Sequence, residues 1–160
     1  PMERSTFSHV CTVAIAIKEL LAGLQLQCYP KLSGATGMQI YLPVKLRYSY
    51  REARDFAQEI CRRVHRAYPG ITTLERKVGQ RGGKLYLDYL QNGRGKTLAA
   101  PYSPRPLPGA PVSLPLTWDE VSREAILPGE FTMENVLPRL QQHGDLFAPV
   151  LENKQLLPSL

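Results

Sequence analysis

Apolar residues recur at helical spacing in two stretches of the chain. In STFSHVCTVAIAIKELLAGL, residues Val10, Val13, Ala14, Ile17, Leu20 and Leu21 share one face, with Ser and Thr residues ahead as candidate caps and Gly23 as the stop. In SYREARDFAQEICRRVHRAYPG, an inner stripe of Ala53, Phe56, Ala57, Ile60 and Val64 predicts a second helix, ended by Pro69-Gly70. Between them the pattern predicts a strand over 25–32, a tight turn at SGATG, and a strand in MQIYLPV that Pro43 closes. After the turn GQRGGK, residues 84–90 (KLYLDYL) alternate as a strand, with Leu85, Leu87 and Tyr89 on one face and Tyr86, Asp88 and Leu90 on the other. Residues 100–116 carry too many prolines for a central strand or a helix, which predicts an extended Pro-rich segment on the surface. Short helices are expected over 118–125, 131–142 and near Phe147. This order of elements reads as one α+β domain with a small, mixed, partly antiparallel sheet and flanking helices.

Composition adds little to that picture until charge is mapped along it. A chain of 160 residues with an ordinary apolar fraction of 43% can bury one core. The net charge of +6 is unevenly spread: residues 76–105 hold seven Lys or Arg against one acid, Asp88, and residues 106–160 hold three against seven. Such a zone suits a polyanion, either nucleic acid or nucleotide phosphates, and equally a solvated basic face. Three widely spaced cysteines, Cys11, Cys28 and Cys61, form no CxxC pair and fit a reducing compartment. No apolar run reaches the roughly 18 residues of a membrane span, so the expectation is a cytoplasmic protein without a membrane partner.

Chemistry concentrates at a few positions. Asp88 is a lone carboxylate among Leu and Tyr, and must be solvated, paired or metal-bound, because burying it bare costs several kcal/mol. Ser33 to Gly37 has the composition of a phosphate-holding loop: Gly34 and Gly37 let backbone approach closely, Ser33 and Thr36 add hydroxyls, and Lys31 adds charge. It lacks Walker A spacing, and a plain hairpin turn has the same composition. Gln39 alternates with Met38 and Ile40 and so reaches either a ligand or water. Arg94 and Lys96 follow Asp88 closely enough to border its site, or are simply solvated. His9, His65 and His143 have no metal-ligand spacing, and His65 reads as a surface residue of a basic helix. Trp118 reads as an anchor of the helix that follows it.

KLSGATGMQIYLPV, KLYLDYLQNGRGKTLAAPYSPRPLPGAPVS and PLTWDEV, in this order, resemble the polymerase domain of bacterial end-joining ATP-dependent DNA ligases, of the archaeo-eukaryotic primase superfamily. The resemblance implies a primase-polymerase fold and template-directed addition of nucleotides or ribonucleotides to a DNA 3′-end in non-homologous end joining. It implies two Mg²⁺ or Mn²⁺ ions held between three carboxylates and a nucleoside triphosphate. Asp88 then matches the third carboxylate, as metal ligand and catalytic residue. Ser33 and Gln39, with Gly34, Thr36 and Gly37 around them, match the second motif, which contacts the triphosphate. Gln91 lies where some members carry an arginine that approaches the nucleotide, Thr97 falls in the nucleotide-contacting segment, Lys96 is added to it by charge alone, and Arg94 is in a position to meet DNA. Implied partners are DNA ends or gapped DNA, a ligase domain and an end-binding repair protein, in a nucleoid-associated cytoplasmic setting.

Two departures qualify this. Gln39 stands where the motif has histidine, so it can donate to phosphate without carrying charge. The first motif, Asp-x-Asp, occurs nowhere in the sequence, and Pro1 matches the position just after it. The expectation is therefore a partial domain over 1–160, lacking its amino-terminal third and inactive alone. The rival expectation is a catalytically inactive module that binds nucleotides or DNA ends.

Overall fold

The structure is a computed structural model and describes residues 4–123 and 126–159. The expectations that rest on Pro1 and on residues 124–125 lie outside these. The described chain divides into two compact units, one of residues 4–43 and 98–153 and the other of residues 44–97 and 154–159.

The first unit is built on α1 (Arg4–Gly23). The helix already includes Ser5 and Thr6, so these lie within it and not ahead of it as caps. Its apolar stripe is buried as the spacing requires, with Phe7, Val10, Cys11, Val13, Ala14 and Leu21 all in the core. The expected strand over 25–32 is shorter. The helix unwinds through Leu24, Gln25 and Leu26, whose N–H groups still bond Ala22 and Leu21 carbonyls, and Gln25 takes a positive φ of 59°. Only β1 (Tyr29–Leu32) remains, paired antiparallel with β2 (Met38–Tyr41) so that Lys31 faces Gln39.

The Pro-rich segment corrects an expectation. Pro104 and residues 106–109 are exposed, but Val112, Ser113, Leu114, Pro115 and Leu116 are buried and lie along the free edge of β1. Leu32 N–H donates to Leu114 O at 2.8 Å, Leu114 N–H returns to Leu32 O at 3.2 Å, and Leu116 N–H donates to Pro30 O at 3.0 Å. A strand donates to a given neighbour from alternate residues. The prolines at 111 and 115 fall on the alternate positions, where their missing N–H groups interrupt nothing.

Beyond it, Thr117 and Glu120 close a capping box on α2 (Trp118–Ser122). Trp118 Nε1 donates to Cys28 O at 2.8 Å, the anchoring role expected of it. The next helix, α3 (Val136–His143), starts later than expected, and α4 (Ala148–Glu152) closes the unit.

The second unit is built on α5 (Tyr50–Ala67). A second capping box starts it: Ser49 Oγ accepts Glu52 N–H at 3.2 Å, and Glu52 Oε2 accepts Ser49 N–H at 2.7 Å. Ile60 and Val64 are buried, while Ala53, Phe56 and Ala57 are half-buried. The unit's two short strands, β3 (Thr72–Thr73) and β4 (Leu85–Tyr86), pair parallel. His65 is half-buried and not on the surface as expected: Thr72 Oγ1 donates to Tyr68 O at 2.7 Å, so His65 Nδ1–H donates to Thr72 Oγ1 at 3.0 Å. Among the described residues no helix is long and apolar enough to cross a membrane.

Candidate phosphate-binding and catalytic site

The strand expected over 84–90 ends before Asp88. Its ladder runs only from Leu85 N–H to Ile71 O at 2.9 Å and Leu87 N–H to Thr73 O at 3.0 Å. Thr73 Oγ1 then accepts Glu75 N–H at 3.0 Å and turns β3 away, leaving nothing for residues beyond Leu87 to pair with. Asp88 is exposed, and its Oδ1 accepts Leu90 N–H at 3.0 Å in a side-chain-capped turn. The carboxylate is therefore solvated, in a cavity of about 460 Å³ that it shares with Gln91 and Lys96. Arg94 and Thr97 are exposed outside the cavity lining.

The cavity also gathers Arg54, Arg76 and Arg81, which no sequence motif singles out. They come from α5, from the loop after β3 and from the end of a short 3-10 helix (Val78–Gln80). Arg81 is fixed in place. Nε donates to Glu75 O at 3.1 Å, Nη2 donates to Arg76 O at 2.8 Å, and the guanidinium lies 4.2 Å from the Tyr86 ring centre. On α5, burial first and then the charge of Asp88 push the Cys61 thiol up to about 12, which leaves it inert as a nucleophile.

In the first unit, Ser33 to Gly37 is a tight turn that Ser33 organises itself. Ser33 N–H donates to Gly37 O at 2.9 Å, and Ser33 Oγ accepts Ala35 N–H at 3.1 Å and Gly37 N–H at 3.2 Å. Gly34 sits at φ 73°, and a Cβ there would lie 2.6 Å from Arg105 Cγ and 2.9 Å from Ser113 N, so no other residue fits. Arg105 Nη1 donates to Ser33 O at 2.7 Å and brings its charge to the turn. Thr36 is exposed. Gln39 does not simply face water: its Oε1 is buried without a hydrogen-bond partner.

Lys31, across the ladder from Gln39, is completely buried. Its Nζ donates to Ala99 O at 3.0 Å and, through a short bond, to Ser113 Oγ, with no carboxylate on the ammonium. Burial, and then the nearby Arg105 charge, bring its pKa down to about 8 from 10.5. The unfolded chain therefore binds the proton more tightly than the folded one, so stability rises with pH across this interval. Between pH 7 and 9 the wild-type chain should gain about 1.4 kcal/mol from this group, and Lys31→Met should show no such gain. Urea midpoints at the two pH values measure it. Above pH 9 the raised Cys28, Cys61 and Tyr41 groups act in the opposite direction, because the fold then holds protons that the unfolded chain releases.

The glycine turn beside the buried Lys31, and the basic cavity around one carboxylate, are carried on a small α+β scaffold of the primase-polymerase class. Residues 1–147 match the family described as the primase-polymerase domain of LigD, and the chain belongs to that family. It is 38% identical over 156 residues to the bifunctional non-homologous end joining protein LigD of Bacillus subtilis, covering 97% of this chain and 25% of that protein. It is 35% identical to the multifunctional LigD of Mycolicibacterium smegmatis, covering 94% of this chain and 19% of that protein. Its fold matches the polymerase domain of Mycobacterium tuberculosis ligase D in complex with DNA, with a TM-score of 0.83 and 31% identity over 92% of this chain and 50% of that one. The chain thus spans a quarter or less of those two LigD proteins and half of that solved domain.

Proposed function

We propose that this chain is the nucleotide- and strand-binding portion of a DNA end-joining polymerase, which adds nucleotides or ribonucleotides to a 3′-end opposite a template. The observation that carries this reading is the gathering of three arginines and a lysine around the single carboxylate Asp88. The Ser33–Gly37 turn, with Gly34 and Thr36, is assigned to triphosphate contact, as are Gln39 with its buried, unpartnered oxygen and Gln91, Lys96 and Thr97. Arg94 is assigned to DNA. The proposed partners are a nucleoside triphosphate, gapped or broken DNA, a ligase domain and an end-binding repair protein, in a nucleoid-associated cytoplasmic setting.

A divalent cation does not fit the described residues by themselves. One carboxylate among four cationic side chains repels Mg²⁺ or Mn²⁺ more than it attracts it, and no group of three or more His, Cys, Asp or Glu able to hold a metal occurs among the described residues. What these residues do on their own is neutralise and orient phosphates. The same charge excess favours a second reading, a binding module without catalysis.

Manganese-dependent nucleotide incorporation on a gapped duplex with a 5′-phosphate tests the two readings. This chain is compared with a longer one that carries an Asp-x-Asp motif. Incorporation by the longer chain alone is the expected result. Incorporation by neither, with triphosphate binding that survives Asp88→Ala, would establish the binding module instead.

A further inference from the structure

We infer that Arg54 and Arg76 form a wall of the second unit's cavity that holds the phosphate backbone of a single DNA strand, without regard to its sequence. This rests on the polymerase reading above and adds to it the residues that would hold the strand.

The cavity carries four cations against one anion, and the four are not equivalent. Arg81 already spends its guanidinium on two backbone carbonyls and the Tyr86 ring. Lys96 belongs to the nucleotide segment. Arg54 has only a loose carboxylate neighbour, Asp55 at 3.6 Å, and both side chains of that pair are largely exposed. Arg76 is exposed, and Arg81 bonds its backbone carbonyl and not its guanidinium. The two planar forks come from separate elements, α5 and the loop after β3, and both line the cavity. This arrangement suits successive phosphodiesters, each taken in bidentate fashion.

Two features favour a strand over a free triphosphate. A triphosphate is best held by a nest of backbone N–H groups, whereas cationic side chains supply this cavity's charge. The cavity's Asp88, Arg76 and Lys96 are also all exposed, so it is open to solvent and a polymer can reach it. Recognition should stop at phosphate, because Arg81 covers a face of Tyr86, the cavity's aromatic ring, and leaves that face closed to a stacking base.

The test is metal-free fluorescence anisotropy with labelled oligothymidylate and a mixed-sequence strand of equal length, across a salt series. Binding of ATP is titrated in parallel. Wild type should bind both strands alike. Arg54→Gln and Arg76→Gln should each weaken strand binding about 3- to 10-fold at low salt and make the salt dependence shallower by about 0.7 per arginine removed. Arg54→Lys should restore the slope, and ATP affinity should fall by less than strand affinity does. An unchanged strand affinity and slope in the double variant, with a normal unfolding transition, would overturn the inference while leaving nucleotide binding in place. So would a loss that falls on ATP instead. A wild-type chain that binds strands as described but not ATP would refute the nucleotide assignment alone.

Discussion

Asp88→Asn, made in a domain that carries all its carboxylates, should lower nucleotide incorporation by at least about a hundredfold and leave the unfolding transition unmoved. Both halves of this follow from the same geometry. Asp88 is exposed and makes one local bond, from Leu90 N–H to Oδ1, which an asparagine oxygen accepts equally well. Surface changes of this kind shift stability by no more than about 0.5 kcal/mol. What the amide cannot supply is anionic charge for a metal ligand. Outer partners of metal sites already contribute roughly 10- to 100-fold, and a direct ligand contributes more. Primer extension with manganese, beside a urea melt of the same preparation, reads both quantities. Activity within a few-fold of wild type would end the proposal that Asp88 is a metal ligand.

The largest stability effect should come from a different place, the bidentate pair between Arg139 of α3 and Glu120 of α2. Nη2 donates to Oε2 at 2.6 Å, a second short bond joins Nη1 to Oε1, and the two side chains are only 11% and 18% exposed. Burial pushes the Glu120 carboxyl upward. Arg139 and the Thr117 cap outweigh that, so it titrates below its ordinary 4.5. Arg139→Met strands a half-buried carboxylate and should destabilise the fold by about 2 kcal/mol. Adding Glu120→Gln should recover part of that loss, since the two changes act on one interaction. The pair's contribution is present above the unfolded pKa of Glu120 and is lost as pH falls through the lower folded value. A shift of the urea midpoint worth less than about 0.5 kcal/mol in Arg139→Met would show that the pair contributes little.

How much of this was legible beforehand depended on whether each feature is local. The inner stripe of α5 and its Ser49–Glu52 box are written within 18 residues, and the helix forms where they place it. Asp88 was legible as an unusual carboxylate, but the end of its strand was not. That end depends on Thr73, which turns the partner strand away and is invisible from the alternation of residues 84–90. The pairing of residues 111–116 is not legible from their prolines, because a proline's effect depends on which neighbour its missing N–H would have faced. Arg54, Arg76 and Arg81 were countable as charge, yet three separate elements bring them together, so no spacing announces the cavity. Lys31 was read as charge lent to a loop, and its complete burial follows from the Ala99 and Ser113 oxygens supplied by a segment 68 and 82 residues further on.

That same long-range pairing has a consequence for how the chain is made. β1 gains its second neighbour only from residues 114–116, so the core around Leu32, Leu114 and Leu116 cannot close while synthesis has reached no further than the cavity loop. All of residues 44–97 leave the ribosome while Lys31 still lacks its acceptors. High contact order slows folding, and an unpaired edge exposed in that interval is where a nascent chain aggregates. Slow translation between residues 33 and 113 should therefore lower the yield of folded protein.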